Sequence, residues 1–165
     1  VPADPIDYRI WRHVQTALQA IRQANGYHHD VEADFALKLD PDVDVESLIA
    51  PGGPRPFGLI ELGEETWVFD EKGGNAGIVM IASPFTIHFV GESDPTTDES
   101  RLLEHFKACA DVEQATAAET TRTNLGTLGA WLTIARRRMS GAGVVVWSSI
   151  DGVVRRRHEF GRPNG

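Results

Sequence analysis

A chain of 165 residues with 41% apolar and 24% charged side chains fits one domain with a sizeable core. Its formal charge of -8 repels nucleic acid backbones unless positive charge is clustered, and its one cysteine, Cys109, excludes an intramolecular disulfide framework and a multi-cysteine zinc site. No apolar run approaches the ~18 residues of a membrane span, and Val1-Pro2-Ala3-Asp4 lacks a basic region ahead of an apolar stretch, so the chain reads as intracellularly made without a secretory signal.

Asp4-Pro5 predicts a helix start, with Asp4 as cap and proline at the first helical position. Ile10, Trp11, Val14, Ala17, Leu18 and Ile21 then share one face, Gln15, Gln19, Arg22 and Gln23 fall on or near the other, and Asn25-Gly26 supplies a left-handed stop. From Tyr27 to Leu39 the alternation of Val31, Ala33, Phe35, Leu37 and Leu39 with polar or small residues predicts a half-buried strand. Residues 40–55, acidic and then rich in proline and glycine, read as a loop excursion with one helical turn around Val45–Ile49.

Short strands are expected at Phe57–Leu62, Thr66–Asp70 and Gly77–Ala82. The last two form a β-hairpin whose tip is Glu71-Lys72-Gly73-Gly74-Asn75-Ala76. Pro84 marks a bulge, bend or edge before the alternating run Phe85, Ile87, Phe89. Asp98–Ala118, capped by Thr97 or Asp98, is a second helix lined on one face by Leu102, Leu103, Phe106, Cys109 and Ala110. Residues 119–130 carry no clear pattern. Trp131–Met139 fits helix or strand, with strand favoured, and Val144–Trp147 continues through Ile150, Val153 and Val154 as strand, Asp151-Gly152 marking a turn or bulge. Residues 161–165 read as a mobile tail. This order predicts one α+β domain over residues 1–165: a mixed, mainly antiparallel sheet, two helices packed on one face, and a protruding β-hairpin. A sheet edge left unpaired would invite another chain to add to it.

The chemistry-bearing patterns mostly favour plain structural readings. His28-His29 on a strand would point to opposite faces, so a solvated loop outweighs a metal clamp. Asp40, Asp42 and Asp44 open like a calcium loop, yet Val45 stands where glycine is needed and Pro51 where a bidentate glutamate is needed. Gly73-Gly74-Asn75-Ala76-Gly77 is followed by a strand, so it reads as a hairpin tip instead of a phosphate cradle. Cys109 lies four residues after His105, but a thiol on an apolar helix face is ordinarily a packing residue, and there is no Gly-x-Ser-x-Gly elbow. No catalytic, metal-binding or cofactor-binding set is assigned. Arg136-Arg137-Arg138 and Arg155-Arg156-Arg157 would each split across two strand faces. A fold-back at Ser140–Gly143 would pair Arg136 near Trp147 and put the triplets roughly 30 Å apart, as two separate patches.

The opening helix Tyr8–Asn25 with Leu18-Gln19-Ala20-Ile21-Arg22-Gln23-Ala24-Asn25-Gly26-Tyr27, the strand Val31–Leu39, the hairpin, the helix Glu99–Ala118 with Ala110-Asp111-Val112-Glu113-Gln114-Ala115, and the final strands ending Val153-Val154-Arg155 together resemble the tail terminator (tail completion) proteins of long-tailed bacteriophages, the class exemplified by phage lambda. The resemblance covers nearly the whole chain as a pattern and contains no diagnostic motif. It implies a structural subunit without enzymatic residues or cofactor. Such a subunit, made in the bacterial cytoplasm and carried at the virion tail or neck, forms a hexameric ring that caps the tail tube and halts its polymerisation. The implied partners are copies of the chain itself, the tail tube protein and the head–tail connector or stopper protein. No membrane and no sequence-specific nucleic acid is expected, the genome passing through the lumen. The tip residues Lys72, Gly73, Gly74 and Asn75 are expected to touch the tube or a neighbour, and Arg155 and Arg157 to meet acidic residues on an adjacent subunit. The longer 40–55 loop and the arginine-rich end depart from that pattern and leave the partner surfaces open. Competing readings are another phage neck or head-closure component, a small α+β ligand-binding or enzyme domain using the scattered His88, His105 and Cys109, and a monomeric or dimeric adaptor.

Overall fold

The computed structural model describes residues 3–31, 35–38, 55–69, 78–94 and 96–159. The elements are α1 (Ile6–Gln19), a 3-10 turn (Gln23–Asn25), β1 (Ala36–Lys38), β2 (Phe57–Leu62), β3 (Thr66–Phe69), β4 (Ile78–Glu92), α2 (Asp98–Ala117), α3 (Glu119–Thr127), β5 (Ala130–Ser140) and β6 (Val145–Glu159). The sheet order is β1-β2-β4-β6-β5, with β3 also paired to β4. Among the described residues only the β1–β2 pair is parallel. The chain is an α+β fold with its helices on one face of a mainly antiparallel sheet. Among the described residues there are three α-helices where two were expected, because Ala118 adopts extended angles and splits the second helical region into α2 and α3. β3 and β4 make the expected hairpin pair, but its tip, with Lys72, Gly73, Gly74 and Asn75, lies outside the described residues, as does the 40–54 excursion and the 161–165 tail.

The backbone is shaped by where its polar groups find partners. Pro5, not Asp4, occupies the N-cap of α1, and the Pro5 carbonyl accepts from the Arg9 N–H. α1 stops at Gln19, short of the expected Asn25, because Arg22 is extended. The Asn25-Gly26 stop instead closes the 3-10 turn, with Gly26 at φ 86°. Of the strand expected over Tyr27–Leu39, Ala36–Lys38 is strand and residues 27–31 are not, while residues 32–34 and 39 lie outside the described residues. The His28 and His29 N–H groups donate to the Asp111 carboxylate at 2.9 and 3.0 Å, so a side chain takes the place of a neighbouring strand. On α1 the predicted apolar face is buried. Gln15 is buried too, its amide donating to the Phe35 carbonyl.

β4 runs unbroken through Pro84. The Pro84 carbonyl accepts from Gly63 N at 2.8 Å, so the side of β4 on which proline lacks its N–H faces the seam where β2 has ended and β3 has not begun. Asp151-Gly152 is likewise mid-strand, and the bulge falls on the partner strand, at Ala135, between the pairs Ile134↔Gly152 and Arg136↔Asp151. A Cβ on Gly152 would come within 2.4 Å of the Phe85 ring, which lies over it. Trp131–Met139 is strand, as favoured. The core lies between helices and sheet, with Val14, Leu18, Phe35, Ile87, Val112 and Ile150 fully enclosed. The face assigned to α2 was misplaced. His105, Ala108, Cys109, Asp111, Val112, Ala115 and Thr116 are buried, whereas Leu102, Leu103 and Phe106 are 43%, 54% and 52% exposed and Ala110 is exposed as well.

Gly58 tests this packing, since a Cβ there would sit 1.7 Å from the Phe35 ring. Gly58→Ala is expected to cost about 1–3 kcal/mol in chemical denaturation. Gly126→Ala, in open space on α3, is expected to be neutral or to stabilise by up to about 1 kcal/mol.

Candidate functional site

Side chains alternate across the sheet, and the uninterrupted register of β4 with β6 fixes which face each one takes. Toward the helices point Ser148, Ile150, Val154 and Arg156 of β6. Ser148 Oγ lies 2.8 Å from His105 Nδ1 of α2, and Arg156 donates to both Asp7 carboxylate oxygens on α1, at 2.5 and 2.7 Å. Arg137 reaches Glu113 of α2 on that side. The opposite face carries Trp147, Ser149, Asp151, Val153, Arg155 and Arg157 of β6, with Arg136 and Arg138 of β5 beside them.

That opposite face is a charged, hydrogen-bonded surface. His88 Nδ1 accepts from the Trp147 indole N–H at 3.0 Å, which assigns the proton on Nε2 to the 2.6 Å bond with Glu61. Asp151 accepts from Thr86 at 2.8 Å, Arg136 at 3.1 Å and Arg138 at 3.2 Å. Burial alone would raise the Asp151 pKa, but the Thr86 hydroxyl and the two guanidiniums outweigh it and hold the carboxyl below its usual range. Glu61, Pro84, Thr86, Arg136, Arg138 and Asp151 line an open depression of about 390 Å³.

The expected site residues divide in two. Lys72, Gly73, Gly74 and Asn75 lie outside the described residues. Arg155 and Arg157 stand on the face opposite the described helices, paired with Trp131 and Met80 in register. Among the described residues neither makes an ion pair. The triplets do split across two faces, but the spacing between them was overestimated. Arg136 is opposite Asp151, not Trp147, because the turn closes at Ser140↔Trp147 and Ala135 bulges. Asp151 is four residues from Arg155, roughly 13 Å along the strand. Arg136, Arg138, Arg155 and Arg157 therefore form one arginine band with the Asp151 carboxylate set into it.

Two buried clusters were only partly foreseen. His105, Cys109 and Ser148 do meet, with Cys109 Sγ 3.7 Å from the imidazole, but all three are buried. Burial pushes the Cys109 thiol up to about 11, with Glu113 adding to it and Arg137 opposing, and burial with Arg137 lowers the His105 pKa. A protonated thiol beside a neutral imidazole is a packing pair and a poor nucleophile. His29 was read as part of a solvated loop and is instead enclosed. Its Nδ1 lies 2.7 Å from Asp111 and its Nε2 2.6 Å from Glu104, both on α2. Burial would lower its pKa, but hydrogen bonds to the two carboxylates prevail and raise it to about 9. His29 thus ties the segment after α1 to α2 as an imidazolium. Neither this clamp nor the His88–Glu61–Trp147 group has a signal in sequence spacing, since each joins residues from separate elements.

Because the folded pKa of His29 lies above its unfolded value, its stabilisation is complete below pH 6.5 and disappears as pH rises through about 9. Over that interval the fold is expected to lose on the order of 2 kcal/mol, allowing for solvent screening at Glu104, and His29→Gln to flatten the profile in denaturant titrations at successive pH values. For Cys109, alkylation at pH 8 is expected to be slow in the folded chain and fast after denaturation. Rapid labelling of the native protein would return this thiol to the list of nucleophiles.

Compared with known proteins, the chain matches no family model, and no curated protein matches it.

Proposed function

We propose that the chain is a structural subunit that assembles into a ring and acts as the tail terminator of a long-tailed bacteriophage, capping the tail tube, stopping its growth and offering a surface to the head–tail connector. The observation that carries this reading is the arginine band on the sheet face opposite the described helices, in a chain whose net charge is -8. A chain that gathers cations on one face and is acidic elsewhere is attractive to rotated copies of itself, and contacts between two different faces close into rings. The exposed ridge Leu102, Leu103 and Phe106 on α2 adds apolar area of the kind that protein contacts bury. The enclosed, protonated Cys109 supports an assembly role over the enzyme alternative built on it. Arg155 and Arg157, without intrachain partners among the described residues, are assigned to acidic side chains of a neighbouring copy.

The test is reconstituted polymerisation of tail tube protein with the purified chain, read by electron microscopy. Tubes are expected to stop at capped ends and the caps to be rings. Unrestricted growth discards the terminator role. The double variant Arg155→Glu with Arg157→Glu is expected to retain the native circular dichroism spectrum and to assemble at least about tenfold more weakly by sedimentation. Unchanged assembly removes these two arginines from the contact.

A further inference from the structure

The two lateral edges of the sheet are unlike each other, and the difference is complementary. On one side β5 is the outermost strand, and among the described residues it pairs only with β6. This edge is basic: the side chains of Arg136, Arg137 and Arg138 are 65%, 45% and 54% exposed. The other side is shared by β1, which pairs with β2, and β3, which among the described residues pairs only with β4; exposed Glu64 and Glu65 lead into β3. Each edge carries one exposed apolar side chain on the helix-bearing side. Met139 faces that way at the β5 edge, 43% exposed, next to the flank of α2 that carries Leu102, Phe106 and Glu113, and Glu113 reaches Arg137. At the other edge Trp67 takes the same side, paired in register with Ile81, and is also 43% exposed.

We propose that the β5 edge of one copy of this chain receives the β3 edge of a second copy, so that the sheet continues from subunit to subunit. The match rests on sign and on layer. The glutamates ahead of β3 meet the arginines of β5, and Trp67 comes to the same side of the joined sheet as Met139, Leu102 and Phe106. A basic edge repels its own kind and excludes β5–β5 pairing, while the acidic strip neutralises it. The contact uses two different surfaces, so it is head-to-tail and repeats around a ring. The inference rests on the ring reading and names its interface, leaving Arg155 and Arg157 as a separate contact on the sheet face.

Sedimentation of the full chain at low salt tests it by exchanging charges. The wild-type chain is expected to associate with rising concentration and to disperse on adding salt. E64K/E65K and R136E/R138E are each expected to weaken association more than about tenfold, and a chain carrying all four substitutions to recover it, because the β5 edge then holds two glutamates against Arg137 and both edges have reversed sign. E64K alone, whose side chain makes no hydrogen bond or ion pair among the described residues, is expected to shift association the same way should the double substitution disturb the turn. Wild-type-like association of either single-edge variant overturns the proposal. So does a natively folded quadruple variant that fails to recover, or a wild-type chain that stays monomeric at low salt. The two levels separate cleanly: rings that persist in the edge variants discard this interface and keep the ring, whereas tubes that grow unchecked beside wild-type chain discard the terminator role whatever the edges do.

Discussion

The ladder between β4 and β6 governs everything else. Fifteen consecutive pairs, from Ile78↔Glu159 to Glu92↔Val145, run without a register shift. A slip of one residue would carry Ile87 and Ile150 out of the core and push Asp151 and Arg155 into it, a desolvation cost no other contact could offset. The ladder thus decides at once which residues meet the helices and which take the opposite face. Even the irregularities are displaced from it. The bulge is in β5, and the missing proline N–H falls at the seam between β2 and β3.

Polar groups inside the helix layer act as fasteners between elements distant in sequence. Asp111 is fully buried and accepts from two backbone N–H groups and an imidazolium. A carboxylate satisfied by three donors is stable in an apolar setting where an unpaired one would not be. Arg156, also buried, ties β6 to the first turn of α1 through Asp7. These ties hold the helices on one face of the sheet.

Much of the fold was legible because local pattern and tertiary need agreed. α1 reads correctly from Ile10, Trp11, Val14 and Leu18, and β2 from its bounding turns. Misreadings arose where a distant residue intervened. Tyr27–Asp30 looks like strand until Asp111 is seen to take its N–H groups, and Pro84 looks like a break until its unneeded N–H is placed at a seam. On α2 the stretch Leu102, Leu103 and Phe106 was the most apolar available, so it was assigned inward. The buried side is instead polar and small, carrying His105, Asp111 and Thr116 with Ala108 and Cys109, because its partners are Ser148 and His29. Of the candidate site, the splitting of the arginine triplets was readable from period two. The distance between them was not, since one bulged residue and one turn boundary set it.

The central ladder also fixes an order of events during synthesis. Its two strands are separated by two helices and β5, so β4 cannot be completed until the last of β6 has left the ribosome. Closing so long a loop costs entropy before any pairing repays it. Until then β4 has a bare flank of fifteen residues, rich in isoleucine, valine and phenylalanine. A nascent chain is therefore most vulnerable to mispairing with its siblings in the interval between the emergence of β4 and that of β6.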